Sequence, residues 1–336
     1  MRNIGKRTIT APIAFWLPRR RVAAALLLIA AIAPWTVARA GDFPDKPIRF
    51  ILGFGVGGPT DIVAHTLADQ LTKELGQNVV VENKPGASGN IATQTVAGAD
   101  PDGYTFLIGA NPLAVNESLF PDLPVKFGRD LIAVAPIGAT ANVLVVQPSL
   151  NLHNLTDLTQ RARSKPDAIS YATIGVGSSS HLAGVAFDLQ AGTKMLAVEY
   201  HGGGDALKDL LGGQVDAWFA AIPSVLGAIQ SGQLVALATT GPQRVSWLPD
   251  TPTMAESGFP GFDIRLWVGV FARSGVPVER IRVIEQAIVR AMASKDMQDT
   301  LERQGITPLS MSGTDFGAFV TREIERWKPV VATFTK

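Results

Sequence analysis

The chain has 336 residues and 46% apolar content with 18% charged residues, enough for a sizeable core and about two domains. It contains 0 Cys, which excludes disulfide scaffolds, thiolate zinc sites, iron–sulfur clusters and thiol catalysis. The net charge of +1 averages two unlike segments: residues 1–40 hold seven Lys and Arg and no acid, so without them 23 Lys+Arg face 29 Asp+Glu, a net charge of −6. That balance argues against nucleic acid as a partner, whose electrostatic footprint on a protein is basic.

Residues 1–40 read as a secretory signal peptide. Arg19, Arg20 and Arg21 precede an apolar run of 12 residues (22–33), and Ala38-Arg39-Ala40 supplies small residues at a cut after Ala40. A transmembrane anchor would need about 20 apolar residues. The Arg pair also permits twin-arginine export. The expected mature protein is exported, and a periplasmic location fits.

After Pro44-Asp45-Lys46-Pro47, the run 48–52 suits a buried strand. A glycine-rich loop, 53–58, leads to Ile62, Val63, Leu67, Leu71 and Leu75 at helical spacing, closed by Gly76. Val79-Val80-Val81 is a second strand, 83–89 a turn, 91–99 a helix and 104–108 a strand. This β-α-β-α-β order predicts an α/β class with a largely parallel sheet. The strand 143–146 opens a second α/β unit. It has helices at 155–164, 181–191, 205–212 and 224–231, and strands at 169–173, 195–199, 215–219 and 234–239. An irregular stretch, 241–262, carries Pro242, Pro249, Pro252 and Pro260. A strand at 264–271 and helices at 277–293 and 296–304 follow, and Thr314 is the expected N-cap of the last helix.

Two strand-to-helix loops are placed to bind a ligand beyond the carboxyl ends of strands. In 54–61 the glycines let backbone N–H groups approach an anion, Pro59 suits the first helical position, and Thr60 and Asp61 occupy the first turn. In 174–181, Ser178, Ser179, Ser180 and His181 open the next helix. Together the loops read as a clamp for carboxylates built on uncharged donors and helix N-termini. Such bonds contribute about 1.5–3 kcal/mol each, and four or five support micromolar binding, about −8 kcal/mol, after association costs. Neither a cofactor nor a metal is expected: His65, His153, His181 and His201 are dispersed, without H-E-x-x-H, and no G-x-S-x-G elbow is present. His65 reads as a solvated surface residue. Asp61 equally reads as a residue that steadies the helix N-terminus. Trp218 and Trp267 read as core or hinge packing, and Trp327 as docking the last helix on its own lobe.

The rival reading rests on Gly53, Gly55 and Gly58, which match G-x-G-x-x-G after a strand, with Glu82 ending the next strand. That pattern would make the protein an exported NAD(P)-dependent oxidoreductase.

The segment PDKPIRFILGFGVGGPTDIVAHTLADQLTKELGQNVVVENKPGASGN (44–90) resembles the N-terminus of the Bug family, the extracytoplasmic solute-binding proteins of tripartite tricarboxylate transporters. DGYTFLIGAN (102–111), NLHNLTDLTQRARSKPDAISYATIGVGSSSHLAG (151–184), LLGGQVDAWF (210–219) and LPDTPTMAESGFPGF (248–262) extend the resemblance over the mature chain. It implies a two-lobed type II periplasmic-binding-protein fold, a Venus flytrap with two crossing strands near 141–147 and 264–271. Lobe one would comprise 42–143 plus 264–336, and lobe two 144–263. It implies a non-catalytic monomer that carries a small carboxylate to membrane transporter subunits, or, when loaded, engages a sensor kinase. The implied ligand-binding residues are Phe54, Gly57, Gly58, Pro59, Thr60, Asp61, Asn111, Ser178, Ser179, Ser180, His181 and Tyr200. Three departures stand out: Gly53 where Pro is common, His201 where Lys is common, and Ala220-Ala221 where Asp-Asn is common. The lost acid argues against a ligand with a free ammonium group.

Overall fold

The computed structural model describes residues 43–200 and 202–334. The leader with its expected cut after Ala40, and His201, lie outside the described residues. Among the described residues no helix is long and apolar enough to cross a membrane.

Three strands, β1 (Ile48–Leu52), β2 (Val79–Asn83) and β3 (Thr105–Ala110), open the chain, with β1 parallel to both others. Ile48, Phe50, Ile51 and Leu52 are fully buried, as expected for a strand covered on both faces. Between β1 and β2 runs α1 (Pro59–Leu75), which turns Val63, Leu67 and Leu71 into the core and ends at Gly76 in the left-handed conformation. The helices α2 (Asn90–Ala97) and α3 (Pro112–Leu119) follow β2 and β3.

The centre of the sheet departs from the parallel expectation. With β5 (Ser170–Thr173), β6 (Leu196–Glu199) and β7 (Ala217–Ala221), its path is β2-β1-β3-β9-β4-β7-β5-β6, and each strand that pairs with β4 (Leu131–Val146) or β9 (Arg265–Arg273) does so antiparallel. Residues 131–141 of β4 pair with β9, and residues 142–146 pair with β7 (Ala217–Ala221) and β8 (Val235–Thr239). One long strand therefore belongs to both halves of the sheet. Only 143–146 of β4 was legible as strand. Proline and glycine ordinarily interrupt a strand, and here Pro136 and Gly138 are absorbed in register shifts at Ala133/Ala135 and Pro136/Gly138. At the switch, fully buried Thr240 ties both crossing segments together. Its Oγ1 accepts the Asn142 N–H at 2.9 Å and donates to the Ile264 carbonyl at 2.6 Å, while its own carbonyl accepts the Ile264 N–H at 3.0 Å.

The second half alternates α4 (Leu155–Ser164), β5 (Ser170–Thr173), α5 (Ser179–Ala191), β6 (Leu196–Glu199), α6 (Gly203–Gly212), β7 and α7 (Ile222–Gln230) before β8. Here β5 is parallel to β6 and β7. After β9 come α8 (Val278–Met292), α9 (Lys295–Arg303), a short β10 (Thr307–Pro308) against β4, and α10 (Gly313–Phe334). The cap of α10 is Ser312, not Thr314: its Oγ accepts the Asp315 N–H at 3.1 Å.

Trp218 and Trp267 are each 2% exposed and lie in the core, as their positions suggested. Trp327 corrects its expectation. Phe316 and Val320 of α10 pack with Ile51, Leu107 and Trp267, but Trp327 and Val331 pack with Leu144, Phe187, Phe219 and Phe262 of the other half. The last helix thus joins both cores. A methyl on Gly269 would lie 2.2 Å from the Phe316 ring and 3.1 Å from the Ala135 carbonyl. Gly269→Ala should therefore destabilise by about 2 kcal/mol through overpacking, read as a lower urea midpoint at unchanged slope.

Candidate functional site: two strand-to-helix loops

The first loop spans 53–58, between β1 and α1. A methyl on Gly53 would sit 2.9 Å from Gly89 Cα, so only glycine lets the loop lie this close to the 86–89 turn. Asp61, 4% exposed, holds the loop from inside. Its Oδ2 accepts the Gly57 N–H at 2.9 Å and its Oδ1 accepts the Asn83 side-chain amide at 2.6 Å. The same Asn83 amide donates to the Phe54 carbonyl at 3.1 Å. His65 is half exposed, as expected, with Nε2 3.5 Å from Asp61 Oδ1. The helix is capped by Gly58, with no side-chain cap, and Pro59 and Thr60 open its first turn. Phe54 and Gly58 are half-buried, and Val56 at the tip is 82% exposed.

The second loop spans 174–178, between β5 and α5, and its hydroxyls are engaged. Ser178 Oγ caps the His181 N–H at 3.3 Å, and Ser180 Oγ accepts the Ile174 N–H at 3.1 Å. Ser178 and Ser180 bond each other at 2.9 Å, and Ser179 Oγ accepts from the Asn142 amide at 3.1 Å. His181, 8% exposed, accepts the Gly177 N–H on Nδ1 at 3.3 Å, which places its proton on Nε2. Burial pushes its pKa down to about 4.

The other expected residues are spread more widely. Asn111, 1% exposed, extends the sheet ladder: its amide donates to the Arg265 carbonyl at 2.8 Å and its Oδ1 accepts the Trp267 N–H at 3.1 Å. Tyr200 follows β6, its hydroxyl 3.1 Å from Asp209 Oδ2, and burial and that carboxylate hold the phenol above its usual range. Ala220 is fully buried opposite Val143, and Ala221 caps α7 opposite Asn142. Glu82, the acid of the dinucleotide-like pattern, is held by Arg49 in a two-pronged ion pair at 2.6 and 2.8 Å, which keeps its carboxyl below the usual range.

Three polar residues that position the loops carry no motif: Asn83, Asn142 and Thr240. Asn142 interrupts the apolar run 139–146 and Asn83 ends the valine strand, so a polar residue at the end of a buried strand was the available signal. Both loops leave the carboxyl ends of parallel strands, one in each half of the sheet, with the β4 and β9 crossings between these halves. A methyl on Gly177 would lie 3.4 to 3.6 Å from Leu119, Val115 and Asn116 of α3, so the second loop already touches the first half of the molecule.

Comparison with known proteins agrees with this architecture. Protein BugT of Bordetella pertussis (strain Tohama I) is 38% identical over 294 residues, 87% of this chain and 90% of that protein. Among solved structures, Rpa4515 of R. palustris with adipate superposes with a TM-score of 0.80 at 31% identity, covering 87% of this chain and 98% of that one. MatC (Rpa3494) of Rhodopseudomonas palustris with bound malate gives 0.79 at 30% identity, covering 86% and 100%. The periplasmic binding protein BugD gives 0.77 at 30%, covering 87% and 98%. The fold is thus that of the Bug-type periplasmic binding proteins. Residues 63–335 match the model of the tripartite tricarboxylate transporter family receptor, and the chain belongs to that family.

Proposed function

We propose that this protein is an exported, periplasmic receptor that captures a small carboxylate and delivers it to a membrane transporter. It is divided into lobe one (42–143 plus 264–336) and lobe two (144–263), with the acid held between them. The observation that carries this reading is the pair of strand-to-helix loops, one per half, each shaped from inside by a buried side chain, Asp61 or His181. In the first loop the glycines and the uncapped start of α1 offer main-chain donors. In the second, Ser178 caps the His181 N–H, and the N–H groups ahead of it at the start of α5 are the donors, beside Ser179. The adipate and malate held by two relatives support the ligand class. Phe54, Gly57, Gly58, Pro59, Thr60, Ser178, Ser179, Ser180 and Tyr200 form the contact set. Asp61, Asn111 and His181 keep those segments in place. Closing on a ligand that touches both lobes shifts the open–closed equilibrium.

A melting-temperature screen of mono-, di- and tricarboxylates and aromatic acids tests the reading, since a ligand of the native state raises stability by mass action. The double variant Gly58→Val and Ser179→Pro should abolish the shift while keeping the fold. Gly58 has extended backbone with nothing within 4 Å of an added Cβ, and Ser179 is the first residue of its helix, where proline is tolerated. An undiminished shift in the variant would remove the loops from the site. With Ala220 and Ala221 in place of the family's Asp-Asn, dicarboxylates should bind more tightly than aspartate or glutamate. Calorimetry giving the opposite order would overturn that preference.

A further inference from the structure

Next to the candidate loops lies a turn that the function does not use. Gly86, Ala87, Ser88 and Gly89 all have positive φ, at 123°, 46°, 53° and 83°. Two of them carry a Cβ, and backbone of that kind persists only where its surroundings hold it. One holder is the first loop, through the Gly53–Gly89 approach already described. The other is Asn116 of α3, 3% exposed. Its amide donates to the Ser88 carbonyl at 2.8 Å and to Asn90 Oδ1 at 2.8 Å. A carbonyl can only accept, so these two bonds fix which end of the Asn116 amide is nitrogen. The remaining atom, Oδ1, is fully buried and has no hydrogen-bond partner. It faces Gly177 of the second loop, 3.6 Å from where a methyl on that residue would sit, with Val115 and Leu119 filling the rest of the contact.

We infer that Asn116 is a positioning residue that opposes docking of the two loops in the absence of ligand. The inference rests on the two-lobed reading above. When Gly177 lies against α3, Asn116 Oδ1 is cut off from water and receives no donor. When the lobes part, water reaches it. An unmade bond at a buried acceptor weights the docked form down by a factor of about 5 to 150. Asn116 cannot turn away, because its amide is committed to the strained turn at Ser88 and to Asn90, which opens α2 right after that turn. One side chain thereby links the first loop, the turn and the second loop, and a ligand bridging the loops has to offset its desolvation.

The chain has 0 Cys, so Asp69→Cys on α1 and Lys208→Cys on α6, both exposed, give a specific dye pair for single-molecule energy transfer on the full mature protein without ligand. The parent sets the reference docked-to-separated ratio. Asn116→Leu removes the stranded acceptor and should raise the docked-to-separated ratio about tenfold, within the range set above. A purely structural role would lower the stability of the Asn116→Leu protein without moving its ratio. Equal ratios in the parent and a cooperatively melting Asn116→Leu protein would overturn the inference. Should the leucine variant not fold, Asn116→Ala removes the same carbonyl and is read in the same way. The measurement uses no ligand, so a failed acid screen would sink the binding reading and leave this comparison standing.

Discussion

Asp61→Ala will lower the stability of the protein by about 3 kcal/mol and remove its binding of any acid that shifts the melting temperature of the parent. The carboxylate is buried and accepts two hydrogen bonds, from the Gly57 N–H and from Asn83. Bonds to a charged group contribute about 1.5–3 kcal/mol each, and water at the exposed Gly57 N–H recovers only part of what the two lose. The consequence for binding follows from geometry. Gly57 has a φ of 85°, and Asn83 also holds the Phe54 carbonyl, so the 53–58 backbone takes its shape from one carboxylate. Asp61→Asn keeps the size but supplies an acceptor on one side only, and should fall between parent and alanine in urea unfolding. Full acid affinity in a folded Asp61→Ala protein would show that the first loop does not bind through its shape.

The second large effect is a pH dependence set by His181. Its folded-state pKa is pushed down to about 4 by burial, against about 6.5 in the unfolded chain. Above 6.5 both states are neutral and the full stability is present. As pH falls below 6.5 the unfolded chain takes up a proton that the native imidazole refuses, so stability declines until pH 4 and then levels off. The integrated loss is about 3 kcal/mol. Protonation at Nδ1 would also expel the Gly177 N–H, so the second loop loosens in the same range. His181→Asn lacks this titration. The stability difference between parent and variant should therefore shrink from pH 6.5 to 4, and a flat difference would refute the assignment.

Much of this fold could be read from the sequence because its signals are local. Buried strands such as 48–52 are short segments in which every residue but Arg49 is apolar, and Gly76 ends α1 where a left-handed residue is required. The long strand β4 was hidden because Pro136 and Gly138 are breakers in isolation. Only pairing with β9 shows that they sit in bulges. The antiparallel centre was hidden for a related reason: paired residues lie at least 71 positions apart, as Val146 and Ala217 do, and no local period encodes that pairing. At the site, the two loops were visible through their glycines and serines, while the side chains that shape them were not. Asn83, Asn116, Asn142 and Thr240 are single polar residues whose partners come from distant segments. Asn111 entered only through the family resemblance, and its buried bonds to β9 emerge only in three dimensions.

Because α10 is rooted by Phe316 and Val320 in one core and by Trp327 and Val331 in the other, the crossing strands are not the sole mechanical link between them. Two strands alone form a ribbon that bends and twists with little resistance. With a rod fastened at both ends beside them, torsion must either shear packed aromatic rings or flex the rod near Pro329, where a rung of its own ladder is missing. The joint therefore carries its own torsion spring, and trimming the chain ahead of Trp327 would alter its resting angle as well as its packing.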